Sequence, residues 1–133
     1  MLFAINTRGI GMARTQFENL RVYQLAEAVA DEVWQLVMTW ERFARSTVGS
    51  QLVRAADSIG ANIAEGAGRG TYQDNRRFVR IARGSLNETR HFLRQAYRRK
   101  LIGESQTASL KGLLDELAPR LNAYLNAIGP SDS

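Results

Sequence analysis

Between Thr71 and Lys100 the chain reads TYQDNRRFVRIARGSLNETRHFLRQAYRRK, and this stretch fits one long helix with two opposite sides. At roughly 100° per residue, Arg76, Arg80, Arg83, Asn87, Arg90, Arg94 and Arg98 fall in one narrow stripe, because they recur every three or four residues. Phe78, Ala82, Ser85, Leu86, Thr89, Phe92, Leu93 and Ala96 lie opposite, forming the wide apolar face by which a helix docks on a core. One segment thus supplies a core face and a basic ridge, and the rest of the chain must cover the former.

The charge is as uneven as the pattern. Residues 69–100 hold ten cations against Asp74 and Glu88, a balance of +8 in a chain whose whole balance is +5, so the remainder is net acidic. Sixteen of the 18 cations are arginine, whose planar fork suits phosphate and carboxylate. A solvated helix face is the bland reading of such a run, but that kind of face interleaves glutamate four residues away, which this one mostly lacks. Unrelieved repulsion along a ridge points to an anionic partner, either nucleic acid or the acidic surface of another protomer.

Other chemistries have little to work with. A chain of 133 residues makes one domain with its own core. The absence of cysteine excludes disulfides, thiolate zinc sites and a cysteine nucleophile. His91 is the single histidine, near the arginine stripe and expected at the surface. No metal, cofactor or catalytic residue is expected. There is no run of 18 apolar residues to span a membrane, and MLFAINTRGIGMARTQ lacks the long apolar core and cleavage site of a signal peptide. A cytoplasmic protein is expected, with residues 1–16 a weakly ordered tail in which Met12 is an alternative start.

Three further helices are expected. The first starts at Asn19 as N-cap, with Phe17 folding back on its first turns, and covers about 19–40. Val22, Ala26, Val29, Val33, Leu36 and Trp40 make its bundle seam, and Tyr23, Ala30, Trp34 and Val37 a second apolar strip. The strip either fattens the core or meets another chain. The second helix covers about 47–66, with Val48, Leu52, Ala55, Ala56, Ile59 and Ile63 inward and a polar flank of Gln51, Arg54, Ser58, Asn62 and Glu65. That flank is either ordinary surface or, if buried, a satisfied hydrogen-bond network. Gly60 weakens a helix by about 1 kcal/mol relative to alanine, which close packing would offset. The string Gly66-Ala67-Gly68-Arg69-Gly70 follows a helix, so it reads as an interhelical turn with Gly66 or Gly68 left-handed rather than as a phosphate loop. Thr71 caps the arginine helix, about 72–101, with Asp74 completing a capping-box-like pair. The last helix, about 104–128, places Leu110, Leu114, Leu117, Leu121, Tyr124 and Ile128 inward, with a kink expected at Pro119. Gly129-Pro130 stops it, and 129–133 form a C-terminal tail.

Four amphipathic helices joined by short turns form an all-α, antiparallel up-down-up-down four-helix bundle over residues 17–128. FENLRVYQLA, QLVRAADSIGANIAEGAGR and FVRIARGSLNET closely resemble the family of proteins encoded by intervening sequences within 23S ribosomal RNA genes. The resemblance covers roughly Phe17–Ile128. It departs from the family at Gly60, where proline is frequent, and at Trp40-Glu41-Arg42-Phe43, which replaces a Phe-Pro pair between the first two helices. The family is similar to the accessory protein of diversity-generating retroelements, a basic, barrel-shaped homopentamer that binds nucleic acid and a reverse transcriptase. The resemblance therefore implies a homo-oligomer, with a pentamer as the expected count, and no enzymatic activity. It assigns Ser58, Asn62, Glu65, Arg69, Arg83, Ser85 and Glu88 to the family motif, in structural or interfacial roles.

Two functional readings follow. In the first, Arg76, Arg80, Arg83, Arg90, Arg94 and Arg98 engage the phosphates of RNA or a DNA/RNA hybrid, with little base reading because no aromatic interleaves with them. Five or six neutralised phosphates give a log–log salt slope of roughly −4 to −5. In the second, the chain is an assembly adaptor: the ridge meets acidic residues of a partner or of the next protomer, such as Asp31, Glu32 or Glu65, and Tyr23 and Trp34 lie in the contact. An enzyme is disfavoured, since Ser85 has no histidine or lysine placed to activate it and Glu65 and Glu88 are the only carboxylates of the motif region.

Overall fold

Glu41 explains the first surprise of the structure, a computed structural model that describes residues 16–130. Its carboxylate accepts hydrogen bonds from the backbone N–H groups of Phe43 (2.9 Å) and Ala44 (2.8 Å), and this cap starts helical backbone at Arg42, ahead of the expected 47. A turn at Arg42–Ala44 and a π-helical turn at Arg45–Gly49 lead into α2, Ser50–Ala67. The other helices are α1, Arg21–Val37; α3, Tyr72–Arg98; and α4, Glu104–Ala127. All regular structure among the described residues is helical.

α1 differs from expectation at both ends. Asn19 closes a 3-10 turn, Gln16–Asn19, and Leu20 occupies the N-cap position with no side-chain cap. Phe17 does fold back, edge-on to Tyr23 with ring centroids 5.0 Å apart. At the far end α1 stops at Val37. Thr39 Oγ1 donates to the Leu36 carbonyl at 2.7 Å, the local bond by which threonine competes with helix. Trp40 is therefore a turn residue, yet it is buried to 6% exposure in the core. Gly49 makes room for it: a Cβ there would stand 2.8 Å from Val37 Cγ1 and 3.3 Å from Trp40 Cε3.

Each helix packs on two others, giving the closed ring α1–α2–α3–α4. Contacts between neighbours run in opposite residue order, as in Arg21–Glu116 and Glu32–Ser109 between α1 and α4. The core takes Val29 and Val33 from α1, Ile59 and Ile63 from α2, Val79 and Leu86 from α3, and Leu110, Leu114, Leu117 and Leu121 from α4. Burying each leucine contributes about 2 kcal/mol. All six inward residues expected for the second helix are buried, while Leu25 and Leu125 join the core unforeseen. On α3, Val79 is fully buried and Phe78, expected inward, is half-buried. The Arg69 and Arg77 guanidinium groups lie over the Phe78 ring at 4.7 and 4.5 Å and cover what the core does not.

The glycines also divide differently. Gly68 is right-handed (φ −86°), and the α2–α3 turn needs no left-handed glycine. Gly66 serves close approach instead: a Cβ there would meet Asn75 Oδ1 at 2.6 Å and the Asn75 carbonyl oxygen at 3.0 Å. At Gly60 a Cβ would make only ordinary contacts, 3.5 Å to Tyr23 Cε1 and 3.6 Å to Ala26 Cβ, so close packing does not account for that glycine. α4 runs without interruption through Pro119. The N-terminal tail lies outside the described residues except Gln16, which opens the 3-10 turn; of the C-terminal tail only Gly129 and Pro130 are described.

Candidate nucleic-acid interface

The structure splits the six ridge arginines of α3 into two sets. Arg76, Arg83 and Arg90 are tied to α4. The Arg76 Nη1 donates to the Ile128 carbonyl at 2.7 Å, finishing the exposed end of α4; Arg83 Nη1 donates to Asn122 Oδ1 at 3.2 Å; and Arg90 Nη2 pairs with Asp115 at 3.2 Å. Arg80, Arg94 and Arg98 are exposed and make no ion pair or hydrogen bond among the described residues. The ridge is thus half latch and half free surface, a division that spacing along α3 does not reveal because the partners lie 25 to 52 residues away.

Cations continue past the helix. α3 ends in a Schellman turn, with the Leu101 N–H donating to Ala96 O at 2.9 Å and the Lys100 N–H to Tyr97 O at 3.1 Å. Lys100 takes the left-handed position (φ 61°) that glycine usually holds. Beside it a groove of 380 Å³ opens between α3 and α4, with Leu93, Ile102, Leu110 and Leu114 as floor and Arg90, Arg94, Lys111 and Tyr97 at its rim. Tyr97 is 45% exposed, and its hydroxyl donates to Glu104 Oε2 at 2.9 Å, which raises the phenol pKa. Tyr97 and Lys111 were missed by sequence reasoning. Tyr97 follows Ala96 at the edge of the apolar arc, where the wheel alone assigns no role, and Lys111 reaches the site only because α4 packs on α3. Lys111 and Arg90 both hold Asp115 (2.6 and 3.2 Å), and the Lys111 hydrogen bond above all keeps the Asp115 pKa below its ordinary value.

Three of the motif residues, Ser58, Asn62 and Ser85, lie elsewhere, in the α2–α3 seam. Ser85 Oγ donates to Ser58 Oγ at 2.9 Å, Asn62 Nδ2 donates to the Ser58 carbonyl (2.8 Å) and hydroxyl (2.9 Å), and Thr89 Oγ1 donates to Ser85 O at 2.8 Å. Ser85 and Thr89 are buried, and each of these hydroxyls has a partner, as a low-dielectric seam requires. Of the expected polar flank, only Ser58 and Asn62 enter this network. Gln51, Arg54 and Glu65 are exposed, and Glu65 pairs with Arg69 at 3.0 Å. Glu88 is exposed, as is His91, which sits edge-on to Phe92.

The α1–α2 side is the electrostatic counterpart. Tyr23, Ala26, Glu27, Ala30, Asp31 and Asp57 line a shallow groove there. Burial, and then the Asp31 carboxylate, push the Asp57 pKa up. Farther along, Trp34 and Met38 are 52% and 56% exposed. Among the described residues no group of three or more potential ligands could hold a metal ion, and no helix is long and apolar enough to cross a membrane.

Comparison with known proteins places this geometry. Curated protein sequences give no match. A crystal structure of a protein of unknown function from the S23 ribosomal protein family of Bacteroides thetaiotaomicron superposes with a TM-score of 0.71, covering 80% of this chain and 99% of that one at 23% identity, and so shares the fold. The family model described as 23S rRNA-intervening sequence protein matches residues 18–123, which reach into all four helices, and the chain belongs to that family.

Proposed function

We propose that the chain is a non-enzymatic, cytoplasmic, oligomeric bundle protein that binds nucleic acid, RNA or a DNA/RNA hybrid, through the α3 surface. The observation that carries this reading is the unpaired set Arg80, Arg94 and Arg98, continued by Arg99 and Lys100, on a helix whose carboxylates are only Asp74 and Glu88. The resemblance to the retroelement accessory protein agrees with it. The three free ridge arginines together with Arg99 and Lys100 set an expected salt slope of roughly −3.5 to −4.5 per chain. Fluorescence anisotropy with labelled structured RNA, single-stranded RNA and duplex DNA across a salt series tests it, against an Arg80/Arg94/Arg98→Glu variant of confirmed oligomeric mass. Micromolar or tighter binding that the variant loses supports the reading; undetectable or salt-independent binding refutes it.

The acidic groove favours a second reading, an assembly adaptor. The α1–α2 side carries Glu27, Asp31 and Asp57 opposite the basic side, and burial and the Asp31 carboxylate disfavour the ionised form of Asp57. A head-to-tail contact setting the Arg side of one copy on the acidic side of the next closes into a ring if the rotation permits; the pentamer itself rests on family resemblance. Light-scattering mass of an Asp31/Asp57→Lys variant checks it: an unchanged oligomer removes this contact.

A further inference from the structure

The end of α3 combines three features that a phosphate-binding ridge alone does not need. An aromatic ring stands half-exposed beside an apolar recess. Tyr97 and Ile102 line both that recess and an adjoining 520 Å³ groove shared by Arg98, Lys100 and Leu101, so cations flank the ring on both sides. A lysine occupies a left-handed backbone position, where glycine would carry less strain.

We infer that this recess seats one unstacked base of a single-stranded nucleic acid against Tyr97, with the flanking phosphates on Arg94 and Arg98. The inference rests on the nucleic-acid reading above and names its substrate class. Arg94 and Arg98 lie about 6 Å apart along the helix axis, one on each side of Tyr97 in sequence, so a strand following them passes the ring. Leu93, Ile102, Leu110 and Leu114 supply the apolar floor that a base face, unlike a phosphate, can cover. The bond to Glu104 fixes the ring across the α3–α4 turn, and the same carboxylate repels phosphate from the hydroxyl edge. Asp115 already neutralises much of Arg90 and Lys111, which leaves Arg94 as the unpaired cation of the rim. In a duplex the base faces are covered by their neighbours, so only an unstacked strand can enter; stacking on such platforms tolerates any base. An acidic peptide would find the same charges but would have no use for the ring.

The test compares a labelled oligothymidylate, an abasic strand of the same length and a duplex, at one salt concentration. The natural protein is expected to bind oligothymidylate about tenfold more tightly than the abasic strand. Tyr97→Ala should erase that difference while leaving abasic and duplex binding and the salt slope in place, and Tyr97→Phe should retain it. Lys100→Gly should weaken all probes alike, reduce the magnitude of the salt slope by about one and raise the thermal midpoint. Equal binding of oligothymidylate and abasic strand with a normal salt slope overturns the base seat and leaves the ridge reading standing. Failure to bind any of these probes or the labelled RNAs above overturns both. A preference that survives Tyr97→Ala overturns the assignment to Tyr97.

Discussion

Asp115 and Asp57 are both largely exposed carboxylates, yet their pKa values are pushed in opposite directions. Asp115, on the α3–α4 side, has Lys111 and Arg90 within hydrogen-bonding distance and ionises more readily than usual. Asp57, on the α1–α2 side, meets partial burial and a second carboxylate, and ionises less readily. The first side contains its own counterions and still has arginines to spare; the second has carboxylates that form no ion pair among the described residues. An ionic surface with its counterions in place is finished structure, whereas one without them is where a partner gains most.

The sharpest way to break this comparison uses the two glycines of α2, which face different neighbours. Gly66→Ala pushes a methyl group against the Asn75 backbone across the tight α2–α3 seam, and should lower unfolding free energy by about 1–3 kcal/mol in urea denaturation. Gly60→Ala faces the roomier α1–α2 groove and should raise it by about 0.5–1 kcal/mol. Destabilisation of similar size at both positions would mean that the two interfaces are equally tight.

The latch and the free surface of α3 are separable on a smaller scale. Arg76→Ala strips the Ile128 carbonyl of its donor and should lower stability by about 1 kcal/mol. Arg80→Ala should change it by less than about 0.5 kcal/mol, and differential calorimetry of the pair decides whether the division holds.

The smallest effect is the response to acid. The Asp115 pKa is depressed on folding, so its contribution is present above the unfolded carboxylate pKa of about 3.9 and is lost as pH falls through the lower native value. The Asp57 pKa is raised, so its ionised form is a burden at neutral pH, and that burden is relieved as pH falls through the raised native value. Asp57→Asn should therefore exceed the natural protein by a few tenths of a kcal/mol, about the scale of exposed charge interactions, at neutral pH. The gap should close on acidification. Urea titrations at a series of pH values measure it, and a gap that widens on acidification would reverse the assigned sign.

Much of this architecture is legible in the sequence because helix periodicity is a local property. Val48, Leu52, Ala55, Ala56, Ile59 and Ile63 are all buried, and Thr71 Oγ1 accepts the Asp74 N–H at 3.1 Å. What escaped depends on geometry that a uniform wheel does not contain. The π-helical turn shifts the register ahead of α2, and Trp40 continues the apolar spacing of α1 after its backbone has turned. Phe78 lies within the apolar arc and Val79 about 100° away at its margin, yet Val79 is the one fully buried, while two arginines stack on the half-buried phenyl ring. The candidate interface was less legible than the fold. The arginines are visible in sequence, but their division into latched and free requires knowing where Asp115, Asn122 and Ile128 lie.

The contrast between the two tryptophans has a practical consequence. Trp40 is enclosed by the core, and its Nε1 finds no acceptor among the described residues, whereas Trp34 faces water on the α1–α2 side. Their emission should differ accordingly, blue-shifted and shielded from iodide for the first, red-shifted and quenchable for the second. The molecule thus carries two intrinsic probes: Trp40 for loss of the fold, and Trp34 for the moment its surface is covered.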